Sequence, residues 1–306
     1  MRNTLINEIH NRAKHDKNII FLTWDLGYSV IENFQNELPE QCINIWISEQ
    51  NMIWIAAWLA LSGKKVFCYS IVPFIVMRPY EQIRVDVCYQ NLDVTLIWVW
   101  WWYAYWNLWW THHWIEDINL MKWLPNMKIL SPADKVEINW SLDYIFNDKW
   151  PLYIRLNRWW EKNIHNEDII FNIQNWININ EWKDILILTT WNITQVAIDA
   201  TKLLENNWLS TKLVSIPLIK PLNQNFILSL IKWKKWIFTI EEHNIIWWLW
   251  DSIASLIAEN NLNVKFKKFW INDIFYELLW NQEYMRKQAW LDNENIKNEI
   301  IKTLNK

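Results

Sequence analysis

The chain has 306 residues, of which 52% are hydrophobic, and a formal charge of −3 at pH 7. This length accommodates about two domains of ordinary size. The weak charge excludes the basic surface of a nucleic-acid-binding protein, and no run reaches the roughly 18 apolar residues of a membrane span. The three cysteines have no C-x-x-C spacing, so we expect no disulfide framework or zinc site and a cytoplasmic protein with reduced thiols.

The composition is abnormal in two residue types, with 29 Trp and only 2 Gly. Average usage predicts roughly 21 Gly in this length. Trp191 and Trp208 stand where a strand or a helix ends and glycine normally supplies a left-handed backbone. Our hypothesis is that most Trp represent glycines, because a codon that means Gly in the source was read as Trp.

The alternative is a truly Trp-rich protein that offers aromatic platforms to sugars or single strands, although platforms do not explain the missing glycines. Intact-mass measurement of the native protein separates the two, since a mass near 37.7 kDa excludes recoding. If Trp does occupy 98–102 and 106–114, we expect a misformed loop there and an inactive protein.

Short strand-like runs alternate with longer helical ones along the first half of the chain. Strands are predicted at 19–23, 66–71, 94–99, 127–130 and 151–156, and helices at 49–61, 74–90, 116–122 and 135–146. This alternation predicts an α/β fold with a parallel sheet covered on both faces.

A polar, Asn-rich stretch then interrupts the alternation and is the best linker candidate. Beyond it, strands are predicted at 184–190, 212–219 and 236–240, and helices at 193–206 and 293–304. We therefore expect two doubly wound α/β domains, the second one smaller, at 1–165 and 183–306, with a linker at 166–182.

Polar side chains follow several of the predicted strands. Ser48 can cap the helix in whose first turn Glu49 lies, which is either an ordinary dipole-stabilised acid or a functional one. Phe74, Met77 and Tyr80 recur every three residues and line either a core stripe or a flat pocket for a planar heterocycle.

Two later positions also follow strands. Thr111-His112-His113 lies in a long loop, where α/β sites gather, and substrate or proton handling suits it better than zinc. Arg158 follows the strand at 151–156, where it either binds an anion or is a surface residue.

These motifs together are recognisable once Trp is read as Gly. Residues 46–52 become Gly-Ile-Ser-Glu-Gln-Asn-Met, and those around His112 become Gly-Thr-His-His-Gly. With Arg-Pro-Tyr-Glu-Gln-Ile-Arg at 78–84, Leu-Pro-Asn-Met at 124–127, Ser-Pro-Ala-Asp at 131–134 and Glu-Glu-His at 241–243, the chain resembles the C-terminal subunit of a split transketolase. The resemblance runs from Arg2 to about Ile274 and implies a pyrimidine-binding domain followed by a transketolase C-terminal domain.

The resemblance implies thiamine diphosphate as the cofactor and assigns roles around its ring. Glu49 matches the glutamate that hydrogen-bonds the aminopyrimidine and is needed for catalysis. Phe74, Met77 and Tyr80 match the positions that pack around this ring, although Met77 replaces a common aromatic. Asp25 resembles a cofactor-side acid.

The resemblance also implies ketol transfer between phosphorylated sugars, as in the pentose phosphate pathway. His112 matches the histidine that binds the donor sugar and helps to move protons. Arg158, with Arg2 and Ser29, matches positions that hold the acceptor phosphate. Leu108 stands where the family often has an Asp that contacts a substrate hydroxyl, which leaves sugar specificity open.

One expected motif is missing from this sequence. No Gly-Asp-Gly followed by a distant Asn appears, even after glycines are restored, so we expect Mg²⁺ and the diphosphate to be held by a separate N-terminal subunit in an α₂β₂ assembly. The alternatives are a 1-deoxy-D-xylulose-5-phosphate synthase-like subunit, a ketoacid dehydrogenase beta-like subunit, and a non-catalytic partner that retains only the fold.

Overall fold

The computed structural model describes residues 1–24, 30–71, 73–100, 115–157, 162–166, 177–180, 184–277 and 280–305. These residues form two compact units. The first unit contains residues 1–100, 115–130 and 138–157, and the second contains 131–137 and 162–305, in each case counting the described residues alone.

Helices and strands alternate along the first half of the chain. The helices are α1 (Arg2–Ala13), α2 (Glu32–Glu37), α3 (Glu49–Leu61), α4 (Tyr80–Gln82), α5 (Asp117–Trp123) and α6 (Lys135–Asn147). The strands are β1 (Ile19–Thr23), β2 (Cys42–Asn44), β3 (Lys65–Ser70), β4 (Val94–Trp100), β5 (Lys128–Leu130) and β6 (Leu152–Asn157).

The second half continues the alternation. Its strands are β7 (Ile177–Asn180), β8 (Ile185–Thr189), β9 (Thr211–Ser215), β10 (Leu218–Lys220), β11 (Trp236–Asn244) and β12 (Lys265–Ile271). Its α-helices are α7 (Thr194–Glu205), α8 (Gln224–Ile231), α9 (Leu249–Glu259), α10 (Gln282–Gln288) and α11 (Asn293–Leu304).

Each unit is built around a sheet. In the first unit, strands β1 to β6 run in the order β5-β6-β4-β3-β1-β2, and every pairing between them is parallel. All five residues of β1 are buried, as expected for a strand with both faces covered. The second unit's sheet has the order β12-β11-β8-β9-β7, parallel except for the antiparallel edge strand β7. The predicted α/β class is therefore confirmed.

Three elements differ from their predicted form. The single strand predicted at 212–219 is wrong, because β9 ends at Ser215 and β10 begins at Leu218, after Pro217, which has no N–H to donate. The helix predicted at 74–90 is irregular, with π-helical turns at Pro73–Met77 and Ile83–Cys88 on either side of the short α4. Strand β11 extends four residues beyond its predicted end at Ile240.

The backbone supports the glycine hypothesis at several Trp positions. Nine non-glycine residues of the described chain have positive φ, and apart from three Asn all are Trp: Trp46, Trp191, Trp208, Trp233, Trp247 and Trp290. A bulky residue in this region is a genuine outlier, whereas glycine adopts it without steric cost. Six Trp thus occupy a conformation that suits glycine.

The turn that ends α7 shows the pattern in detail. Leu209 N donates to Leu204 O at 3.0 Å and Trp208 N donates to Glu205 O at 2.9 Å, which is the Schellman arrangement with Trp208 as its left-handed residue. The same pair of bonds ends α3, where the left-handed residue is Gly63. One chain therefore uses Gly and Trp at equivalent positions.

No helix among the described residues is long and apolar enough to cross a membrane.

Candidate active site

The candidate site lies in the first unit, where several parallel strands end. Strands β1, β2 and β3 are neighbours, and their carboxyl ends share one edge of the sheet. Helix α3 follows β2 and brings Glu49 to this edge, while the π-helical turn at Pro73–Met77 follows β3 and brings Phe74. Ligands of α/β proteins bind at such edges.

Glu49 is a buried acid at the start of α3. Its residue surface is only 3% exposed, which is rare for a glutamate. Ser48 occupies the N-cap position, as predicted, but its side chain makes no capping hydrogen bond. The helix N-terminus stabilises the carboxylate, and Arg78 Nη1 donates to Glu49 Oε1 at 2.7 Å.

Phe74 and Glu49 are brought together through Arg78. The Arg78 guanidinium lies over the Phe74 ring, with its Cζ 3.8 Å from the ring centroid, while it bonds to Glu49. Trp24 contacts the same ring edge-on at 5.0 Å between centroids. The flat, nitrogen-rich guanidinium of Arg78 thus lies between a buried carboxylate and an aromatic face.

Tyr80 and Met77, the other two residues predicted around the ring, lie on the same segment as Phe74. Tyr80 Oη donates to Leu120 O of α5 at 2.8 Å, and burial raises the pKa of this phenol, so it remains a donor at neutral pH. Met77 is 48% exposed, so it does not belong to the core stripe that was the alternative for these residues.

The remaining predicted site residues are Arg2, Asp25, Ser29, His112 and Arg158. Arg2 is the first residue of α1, and its Nε donates to Asn3 Oδ1 at 3.2 Å. Asp25, Ser29, His112 and Arg158 lie outside the described residues, and their roles stay predictions.

A buried ion pair joins β6 to α5. Arg155 Nε of β6 and Asp117 Oδ2 of α5 are 3.3 Å apart, and neither side chain has exposed surface. Tyr153 Oη donates to the same carboxylate oxygen at 2.7 Å. Burial raises the pKa of Asp117, whereas Arg155 and the Tyr153 hydrogen bond lower it.

Two family models match the chain. The transketolase pyrimidine-binding domain matches residues 1–159, and the transketolase C-terminal domain matches residues 175–296. The chain belongs to the transketolase family. This confirms the resemblance drawn from the motifs around Glu49 and His112, including the order of the two domains.

Relatives of similar length accompany the two transketolase models. A subunit of the apulose-4-phosphate transketolase of Actinobacillus succinogenes is 32% identical over 87% of this chain and 86% of that protein. A putative transketolase C-terminal section of Methanocaldococcus jannaschii is 32% identical over 96% and 93%. A solved split-gene transketolase, described as an inactive beta4 tetramer, superposes with a TM-score of 0.87 at 26% identity and covers 99% of this chain and 97% of its own.

Sequence reasoning assigned no role to Arg78, Asp117 or Arg155. Arg78 had a usable signal, because it lies four residues after Phe74 and opens the Arg-Pro-Tyr motif. Arg155 had a weaker one, since a charged residue within the apolar strand Leu-Tyr-Ile-Arg-Leu demands a buried partner. Nothing local identifies Asp117 as that partner, because 38 positions separate the two.

Proposed function

We propose that this chain is the pyrimidine-binding and C-terminal subunit of a split, thiamine-diphosphate-dependent transketolase that transfers a two-carbon ketol unit between phosphorylated sugars. The observation that carries the proposal is the buried Glu49 carboxylate, which Arg78 joins to the Phe74 ring at the carboxyl edge of a family-matched domain. A buried acid is costly in a purely structural role, and such groups concentrate at functional sites.

The residues present fit the cofactor's aminopyrimidine ring. Glu49 would accept a hydrogen bond from a protonated ring nitrogen, and Phe74 would stack on the ring face, as the planar Arg78 guanidinium does. When bound, thiamine diphosphate supplies the carbon nucleophile that accepts the ketol group. The low exposure of Glu49 keeps water from competing for its oxygens, which strengthens this hydrogen bond.

The sugar contacts are part of the proposal. His112 would bind the donor sugar near its carbonyl and hold or release a proton there, since an imidazole titrates near neutral pH. Arg158, with Arg2 and Ser29, would hold the acceptor phosphate through charge-assisted hydrogen bonds. Asp25 would be a cofactor-side acid.

The rest of the active site would come from another polypeptide. We propose an N-terminal subunit that holds Mg²⁺ and the diphosphate, in an α₂β₂ assembly located in the cytoplasm. Two findings support this: one relative is named as a transketolase subunit and another as a C-terminal section, and the solved split-gene relative is described as an inactive tetramer of beta chains. The domain limits 1–165 and 183–306 also belong to the proposal.

The deciding experiment mixes this chain with the candidate N-terminal subunit, thiamine diphosphate and Mg²⁺. Xylulose 5-phosphate with ribose 5-phosphate tests ketol transfer, and pyruvate with glyceraldehyde 3-phosphate tests the synthase-like alternative. We expect the mixture to turn over the first pair of substrates, and we expect this chain alone not to. Full activity of this chain alone, or turnover of pyruvate only, would contradict the proposal; no activity with either pair favours a ketoacid dehydrogenase-like or non-catalytic subunit.

A matched pair of variants tests Glu49 itself. Glu49→Gln keeps the shape but removes the charge, and we expect turnover to fall by roughly 100-fold or more, as for lost acid–base groups. Glu81→Gln is the control. Glu81 lies in α4 beside Tyr80, is exposed, and has a hydrogen bond to its neighbour Gln82. Equal activity of both variants would remove Glu49 from the mechanism.

A further inference from the structure

The ion pair between Asp117 and Arg155 is unusual because of where it lies. Both side chains are fully buried, and Arg155 stands in a strand whose other residues from Leu152 to Leu156 are apolar or aromatic. A buried pair often gives less stability than apolar residues of the same size, because both charges lose their water. Its presence therefore calls for a role other than stability.

Helix α5 depends on this pair at its first residue. The helix has seven residues, a length that is marginal without outside support. Asp117 connects its start to β6, through Arg155 by the ion pair and through Tyr153 by the hydrogen bond of 2.7 Å. The buried Ile118 and Met121 pack the same helix against the core. The position of α5 relative to β6 is thus set by a directional contact and not by packing alone.

Helix α5 in turn supports the ring site. The carbonyl oxygen of Leu120 accepts the hydrogen bond from Tyr80 Oη at 2.8 Å. The segment before Tyr80 is a π-helical turn that carries Phe74. Single π-helical turns are rare and are not self-sustaining, so this segment needs contacts from outside. A continuous path of contacts leads from Arg155 through Asp117 and α5 to Tyr80.

We propose that Asp117, together with Arg155 and Tyr153, is a positioning residue for the cofactor-ring site, acting through α5 on the segment that carries Phe74 and Tyr80. This inference rests on the proposed function. Asp117 acts indirectly: it fixes the position of α5 relative to β6, and α5 holds the Phe74–Tyr80 segment through the hydrogen bond from Tyr80 Oη to Leu120 O.

The first test needs only this chain. Hydrogen–deuterium exchange is measured on the wild type and on Asp117→Asn, which keeps the side-chain size. We expect exchange to accelerate roughly fivefold or more in α5 and in residues 73–80, the loss expected for one or two buried hydrogen bonds, and to stay unchanged in β1. The control is Asp93→Asn, which breaks the ion pair of 2.7 Å with Lys65 at the amino ends of β3 and β4. Asp93→Asn should leave the exchange rate of residues 73–80 unchanged.

The second test measures the affinity for thiamine diphosphate with Mg²⁺ in the presence of the N-terminal subunit. Asp117→Asn should raise Kd roughly fivefold, while Asp93→Asn should leave it unchanged even if both variants melt at a lower temperature. If Asp117→Asn does not fold, Tyr153→Phe decides, because it removes one hydroxyl; we expect at least a twofold rise in Kd and faster exchange at 73–80.

The outcomes separate the two proposals. Unchanged exchange and Kd in the folded Asp117 variant, or in Tyr153→Phe where that variant decides, would overturn the positioning role. The positioning role would also be overturned if Asp93→Asn weakened cofactor binding as much as Asp117→Asn does, since the effect would then be a general loss of stability. If the wild-type mixture binds no thiamine diphosphate, the proposed function fails, and the exchange experiment still decides whether Asp117 holds the Phe74–Tyr80 segment.

Discussion

Replacing Trp208 by glycine should stabilise the chain, which is the opposite of what truncating a large side chain usually does. Trp208 has φ of 62° at the turn that ends α7, and its surface is 97% exposed. Its indole therefore contributes almost no burial, while its Cβ strains the backbone. Glycine occupies the equivalent turn after α3 at Gly63.

The size of the effect follows from two opposing terms. A left-handed conformation costs a residue with a Cβ roughly 1–2 kcal/mol. Glycine loses more backbone entropy on folding, roughly 0.5–1 kcal/mol relative to Ala. With negligible burial at Trp208, the difference between the midpoints of the two terms is a gain of about 0.7 kcal/mol in the free energy of unfolding of the Gly variant.

Urea unfolding of the wild type and of two variants at this position measures the effect. Trp208→Ala is the matched control, because it removes the indole but keeps the Cβ, so its stability should stay within about 0.5 kcal/mol of the wild type. Equal stability of the Gly and Ala variants, or a less stable Gly variant, would refute the strain argument and with it the structural support for recoding at this turn.

Two further predictions concern buried charges in the second unit. Burial alone would lower the pKa of His165, but the hydrogen bond and charge of Glu137, with Asp134, raise it. The stabilisation is thus complete below the unfolded value of about 6.5 and is lost as pH rises through the higher folded value. The wild type should therefore lose stability relative to His165→Gln as pH rises past 6.5, and a constant difference would contradict this. Arg286→Met should cost about 3 kcal/mol in thermal or urea unfolding, since it removes the charged partner of the buried Glu242 and leaves the neutral donor Gln282. Adding Glu242→Gln should recover much of the loss, and additive losses would argue against the pair.

The strands and helices with strong periodicity were predictable from the sequence. Strand β1 and helices α3 and α11 begin and end where their apolar patterns do. Irregular elements were not predictable in form: Pro79 interrupts the helical pattern that starts at Phe74, and only the surrounding packing decides that π-helical turns result. Short elements such as α2 and β2 are set by tertiary contacts, because three to six residues carry too little pattern.

The candidate site was predictable only as a set of residue types. The first-turn position of Glu49 and the spacing of Phe74, Met77 and Tyr80 are local features, and the resemblance gave them roles. The sequence does not show which side chains these groups contact in the folded chain. Arg78 joins Glu49 to Phe74, and Asp117 finds Arg155 across 38 positions, because the parallel sheet brings α5 and β6 together. Such pairings follow from topology and not from periodicity.

The glycine hypothesis bears unequally on the parts of the site. None of Glu49, Phe74 and Arg78 is a Trp, and the contacts from Arg155 to Tyr80 run through Asp117 and Leu120 and not through Trp123 of α5, so the ring site and its positioning residues stand whichever residue the native protein carries. The indoles of Trp24 and Trp98 do touch these groups, Trp24 at Phe74 and Trp98 over the Arg155 guanidinium at 4.8 Å. If glycine stands at both positions, the hydrogen bonds and the ion pair remain, but Phe74 and Arg155 each lose an aromatic contact on one face. Exchange and cofactor-binding assays on a Trp-containing recombinant chain therefore test Asp117→Asn, whereas the turnover test of Glu49→Gln also depends on the proposed role of the residues around His112. Because that part of the sequence is dense in Trp, the native mass is the measurement to obtain first.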